Sequence, residues 1–188
     1  HSAFGVEGIP WDEAIRRLAE NGFTAILPNM LWGGAAYYQS DLLPVAPSVA
    51  QRGDQIAACL TAARKHGIQV HVWKVNWNLG HAAPQAFVEQ MRRAGRLQAS
   101  AQGTEAAWLC PSHPDNQKLE IDSMIEVARR YDVDGLHFDY IRYPDSDHCY
   151  CAGCGERFRQ ATKTTLASWP ADVLAPGPVR DSWLDWRR

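Results

Sequence analysis

Asp139 closes an apolar run, VDGLHFD at 133–139, and the polar loop after it carries Arg142 and Tyr143, then cysteines at 149, 151 and 154. Strand alternation would turn Leu136 and Phe138 to one face and His137 and Asp139 to the other. A carboxylate beside an imidazole at a strand mouth is equipment for acid–base or nucleophilic chemistry. The plainer role for such an Asp is to cap the turn that follows. Asp139 is the candidate catalytic group.

Cys149, Cys151 and Cys154 are too close together to be three unrelated core thiols. Zinc takes four soft ligands in a tetrahedron, and tight C-x-x-C loops supply two of them. Cys110, in WLCPSHPD, can supply the fourth from another loop, with His113 and His148 in reserve. The alternative is a disulfide set, for which four cysteines allow three pairings. A closed four-thiolate shell leaves no open position for water, so such a zinc would be structural. The remaining cysteine, Cys59, follows Ile56 on the apolar face of a helix and reads as a core thiol.

Strands and helices alternate around these groups. Strands are expected at 1–5, 23–29, 68–75 and 133–140, with helices at 11–21, 53–67, 84–94 and 115–131. On the last helix Ile121, Met124, Ile125 and Ala128 share one face; on the helix before it, Phe87, Met91 and Ala94 do. The stretch 97–112 reads as an insertion and 168–180 as a proline-rich loop. β-α-β-α order implies parallel strands covered by helices. Loops after strands are long, polar and aromatic, whereas helix-to-strand turns (NG, HG, YD) are short. That asymmetry suits a (β/α)8 TIM barrel, whose sites lie at the strand C-terminal face. Four strands make about half of one, so residues 1–188 read as the N-terminal half of a barrel domain, cut at both ends. A doubly wound sheet is the alternative, but no glycine-rich phosphate loop follows the first strand, and no organic cofactor is implied.

With 188 residues, 46% of them hydrophobic, the chain can bury a substantial core. A net charge of −2 without a basic stripe argues against a nucleic-acid binder. No apolar run approaches membrane-spanning length. Eight tryptophans are a heavy load. Trp11, Trp183 and Trp186 fall in helical patterns and read as packing residues. Trp32, Trp73 and Trp77 follow strands, where an indole can stack on a sugar ring. Asn29, Trp32, Trp73, Asn76, His137, Arg142 and Tyr143 are the candidate walls of a carbohydrate site.

The order HSAFG, ILPNMLWGGAAYY, VHVWKVNW and DGLHFDYIRYP resembles the glycosyl-hydrolase-like barrels of family-10 type, from His1 to about Phe158. The most specific part is DGLHFDYIRYP, similar to a G-x-H-F-D-x-x-x-Y-P block in related sequences. The resemblance implies a TIM barrel that hydrolyses glycosidic bonds, bacterial cell-wall glycans included, in an extracytoplasmic or periplasmic setting. A second, local resemblance joins C-P-x-x-P at 110–114 and C-Y-C-x-x-C at 149–154 to the structural zinc cluster of bacterial β-galactosidase barrels. Those enzymes carry an Asn-Glu pair on the preceding strand where this chain has HFDY, so the likeness extends to the metal and not to the specificity.

Glycoside hydrolysis normally needs two carboxyl groups. Amylase-like barrels place a nucleophilic Asp at the end of the fourth strand with a basic residue two positions earlier, and His137 with Asp139 is similar. By that analogy Asp139 is nucleophile or charge stabiliser, and the acid/base lies on a later strand, beyond Arg188. Glu7 and Asp145 are in-chain candidates without a strand-end setting. The competing functions are a non-catalytic carbohydrate-binding barrel and a metal-dependent hydrolase such as a deacetylase, whose metal would need an open position.

Overall fold

A computed structural model describes residues 8–80 and 83–188. The expected strand at 1–5, and Glu7 with it, lies outside the described residues. Helix α1 (Trp11–Glu20) starts after Pro10 and buries Ile15 completely. The strand expected at 23–29 forms as two stretches, β1 (Ala25–Ile26) and β2 (Asn29–Trp32), followed by the short β3 (Ala35–Ala36). Pro28, which has no N–H to give to a ladder, divides the first two. Beyond α2 (Ser48–Arg52), helix α3 (Gln55–His66) is capped at its start by Asp54, whose carboxylate accepts from the Ala57 N–H at 3.0 Å. It stops at Gly67, whose φ of 68° is a left-handed conformation that glycine adopts without strain.

Strand β4 (Gln69–Val75) is the centre of the sheet. It pairs in parallel with β1 and β2 on one side and with β7 (Gly135–Asp139) on the other. Strands thus follow one another across the sheet in chain order, with helices between them. That one-directional order is the one a (β/α) barrel keeps all the way round. The chain has an α/β, TIM-barrel-type fold, of which the described residues contribute three parallel strands.

Val70 and Val72 on β4 and Leu136 on β7 pack against Ile56, Cys59, Leu60 and Ala63 of α3, with Ile15 of α1 and with Met124 and Val127 of α5 (Pro114–Arg130). This is the helix side of the sheet. Helix α5 is rotated from its expected setting. Met124 is buried, but Ile121 and Ile125 are 55% and 38% exposed and Ala128 is exposed too. Glu120, Ser123, Glu126 and Val127 turn inward instead. The reason is Lys74, which alternation places on the helix side of β4, where it needs polar company: its Nζ lies 3.0 Å from Glu120 Oε2 and donates to Ser123 Oγ.

Between β4 and α5 the chain forms α4 (Gln85–Arg93) and an antiparallel hairpin, β5 (Leu97–Ala99) with β6 (Glu105–Leu109), inside the stretch read as an insertion. Helix α4 buries Val88 and Met91, whereas Ala94, past its end, is exposed. After β7 come α6 (Ala152–Thr162) and α7 (Arg180–Trp186). These two pack with the cysteines in a separate core of Phe158, Val173, Trp183, Trp169 and Trp186. Trp183 is 1% exposed, in keeping with a packing role.

Candidate functional site

Parallel pairing sets Asn29, Trp73 and His137 side by side in one row across β2, β4 and β7. Helix-side residues alternate with these, so the row faces the barrel interior. The Trp73 and His137 rings meet edge to face, with centroids 6.1 Å apart at 86°. Asn29 is 5% exposed, and its Oδ1 has no hydrogen-bond partner among the described residues. Asp139 lies on the same face as His137, two residues nearer the C-terminal end of the sheet, opposite Val75.

The sheet end around Asp139 is held from both sides. Its carboxylate accepts from the Tyr140 N–H at 2.7 Å, and its carbonyl accepts from the Asn76 N–H at 2.9 Å. Asn76 is 1% exposed and donates through Nδ2 to Glu120 Oε2 at 2.5 Å. The residues just past both strand ends, Trp77 (φ 62°) and Tyr140 (φ 60°), have left-handed backbones that a bulky side chain rarely adopts. Such strain persists only where the surroundings enforce it, and it gathers at functional sites.

The left-handed turn at Tyr140 redirects the loop. Arg142 stacks its guanidinium 4.6 Å from the centroid of Tyr140 and 5.7 Å from that of Trp108, which itself stacks on Tyr140 at 5.8 Å. Among the described residues no ion pair joins Arg142 to Asp139; its Nη1 donates to the carbonyls of Tyr143 and Pro144 instead. Tyr143 sits in the cysteine-side core under Arg187, whose Cζ is 4.0 Å from the ring centroid. Trp32 is 44% exposed at the end of β2. Asp145 is exposed and engaged within its own loop, by His148 Nδ1 at 2.7 Å and the Asp147 N–H at 2.8 Å. The pairing of Trp108 with Tyr140 is not legible in the sequence, because neither the hairpin nor the turn that brings them together has a local signature.

The second cluster is sulfur. The Sγ atoms of Cys110, Cys149, Cys151 and Cys154 all lie within 4.8 Å of one another, and all five cysteines are free thiols. Cys110 Sγ is 3.4 Å from that of Cys154 and 3.7 Å from that of Cys151. Disulfide sulfurs are about 2.05 Å apart, whereas thiolates around one zinc at about 2.3 Å are spaced by about 3.8 Å along each tetrahedral edge. The four cysteines can therefore hold a metal ion. The reserve histidines are otherwise occupied. His113 caps α5, accepting from the Asp115 N–H at 3.2 Å, and His148 pairs with Asp145.

The glycosyl hydrolase-like 10 family model matches residues 10–188. The chain belongs to that family. An S-layer-related protein of Niallia circulans is 28% identical over 102 residues, covering 49% of this chain and 6% of its own length. Among solved structures, α-L-fucosidase isoenzyme 2 from Paenibacillus thiaminolyticus superposes on all of the chain with a TM-score of 0.61 at 18% identity, a likeness of fold. The chain spans 26% of that fucosidase. Among the described residues no helix is long and apolar enough to cross a membrane.

Proposed function

We propose that residues 1–188 are the first half of the barrel domain of a glycoside hydrolase acting on an oligo- or polysaccharide, with Asp139 as nucleophile or charge stabiliser. The observation that carries the reading is the place of Asp139 at the C-terminal end of β7, on the face shared by His137, Trp73 and Asn29. Membership of a glycosyl hydrolase-like family supports it. Asp139 faces the sugar's anomeric carbon, held in orientation by the Tyr140 N–H on its carboxylate and the Asn76 N–H on its carbonyl. His137 and Asn29 offer hydrogen bonds to hydroxyls, Trp73 and Trp32 offer flat apolar surface, and Arg142 stands exposed at the rim. The proton donor to the leaving group is a second carboxyl from a later strand, about 5–5.5 Å from Asp139 for retention or about 6.5–9.5 Å for inversion.

The S-layer-related relative suits work at a bacterial cell surface, with a cell-wall glycan as substrate. In this reading Cys110, Cys149, Cys151 and Cys154 hold zinc. The ion supplies cross-linking and no reaction step, since four thiolates fill its coordination. That ligand count disfavours a zinc deacetylase, which needs an open position.

The test is release of reducing ends from purified cell-wall and other glycans by the longer natural protein. Hydrolysis of at least one glycan supports the reading. Tight glycan binding without any product would favour a carbohydrate-binding barrel.

A further inference from the structure

Arg157 is built against the cysteine cluster. It lies on α6 three residues after Cys154, one turn along the same face. Its Nη2 donates to Cys110 Sγ at 3.4 Å and its Nε to Ser112 Oγ at 3.0 Å. Ser112 Oγ is in turn 3.3 Å from Cys110 Sγ and 3.2 Å from Cys154 Sγ. The guanidinium is half-buried, and among the described residues no carboxylate pairs with it. Its neighbour Glu156 is taken by Arg159 at 3.0 Å and Gln160 at 2.9 Å.

The space for this side chain comes from Gly153. A Cβ there would stand 2.7 Å from Arg157 Nη1, 2.9 Å from Nη2 and 3.2 Å from Cζ, so the guanidinium lies directly over the glycine. Partly burying a cation without an anion is costly. Neutral thiols, weak acceptors, would leave that cost standing. Four thiolates around a divalent ion reverse the balance, because the complex carries two surplus negative charges in a largely apolar setting.

We propose that Arg157, seated in the space left by Gly153, is the counter-charge of the four-cysteine centre and sets how tightly it holds a thiophilic divalent cation. The proposal rests on the metal reading above. Ser112 extends it, since a hydroxyl anchored by Arg157 Nε is free to turn its hydrogen toward sulfur.

The experiment is zinc competition against a chromophoric chelator in the longer protein, with cobalt(II) substitution to read the thiolate charge-transfer band. Arg157→Gln should weaken zinc about 10- to 100-fold, the usual cost of losing a group that supports metal ligands. Arg157→Ala should weaken it at least as much, and Arg157→Lys should recover part of the loss. Either weakening variant that folds decides the matter. Wild-type affinity in a folded Arg157→Gln or Arg157→Ala protein overturns the proposal while leaving the metal reading intact. Wild-type protein that takes up neither zinc nor cobalt overturns both.

Discussion

The Asn76 N–H donates to the carbonyl of Asp139 at 2.9 Å, joining the C-terminal ends of β4 and β7 just where the candidate catalytic acid emerges. Asn76 is fixed in turn by Glu120 of α5, which also lies 3.0 Å from the Lys74 ammonium. A helix on the outer side of the sheet thus sets the position of a group on its inner side. Lys74 is 3% exposed, and burial pulls its ammonium below the usual lysine range even against the favourable charge of Glu120.

Glu120→Ala should therefore be severe. It strands a buried ammonium and frees the Asn76 side chain, and breaking a buried pair from one side costs about 3–5 kcal/mol. Thermal or denaturant unfolding measures this. A loss below about 1 kcal/mol would mean that water replaces the carboxylate.

Acid should act through Glu126. Burial on its own would raise this carboxyl, but hydrogen bonds from Ser40, the Asp41 N–H and Tyr38, with Arg130 beside it, outweigh burial and hold it below its ordinary 4.5. A lowered folded-state value contributes stability that is complete above 4.5 and is lost as pH falls through the folded value. Glu126→Gln should lower the melting temperature at neutral pH and flatten its decline below pH 4.5. An unchanged acid limb would place the sensitivity elsewhere.

What the sequence disclosed and what it hid divide along physical lines. β4, β7 and the sulfur cluster were legible because apolar runs and Cys spacing are local signals. The inward face of α5 was not: periodicity favours Ile121 and Ile125, and only the tertiary placement of Lys74 explains why Glu120 and Ser123 turn inward. Helix α6 begins inside the cysteine motif, and its apolar contacts, Cys154 and Phe158, are too few to announce it. Arg142 and Tyr143 stand side by side in the sequence, yet after the left-handed turn at Tyr140 one lies on aromatic rings and the other in the cysteine-side core, a divergence with no local signature.

Trp32 and Trp73 should separate in their effects. Trp32 is 44% exposed, so Trp32→Ala should change stability by no more than about 0.5 kcal/mol and weaken glycan binding. Trp73 is half-buried against His137, and Trp73→Ala should cost more than about 1 kcal/mol as well as binding, since a fully packed Trp costs about 3–5. Glycan titration and unfolding of both variants check this. Equal stability losses would make Trp32 a packing residue.

Emptying the zinc centre proposed for the four cysteines should loosen one part of the molecule. The cysteines tie the end of the β5–β6 hairpin, through Cys110, to the far end of the loop leaving Asp139, through Cys149. Chelation, or Cys151→Ser, should remove about one zinc per chain and speed amide exchange in 140–151 and 105–112, leaving the β4 amides protected. Uniform exchange across the chain would show that the centre supports the whole fold.

The most direct test is the turnover of Asp139→Asn in the longer protein, on whichever glycan the wild type cleaves. Asn keeps the shape and the hydrogen bond to the Tyr140 N–H but cannot attack or stabilise an oxocarbenium centre. With Asp139 as nucleophile or charge stabiliser, kcat falls at least about 1,000-fold with the melting temperature nearly unchanged. Wild-type turnover in the variant would return Asp139 to a turn cap and rule out its catalytic role.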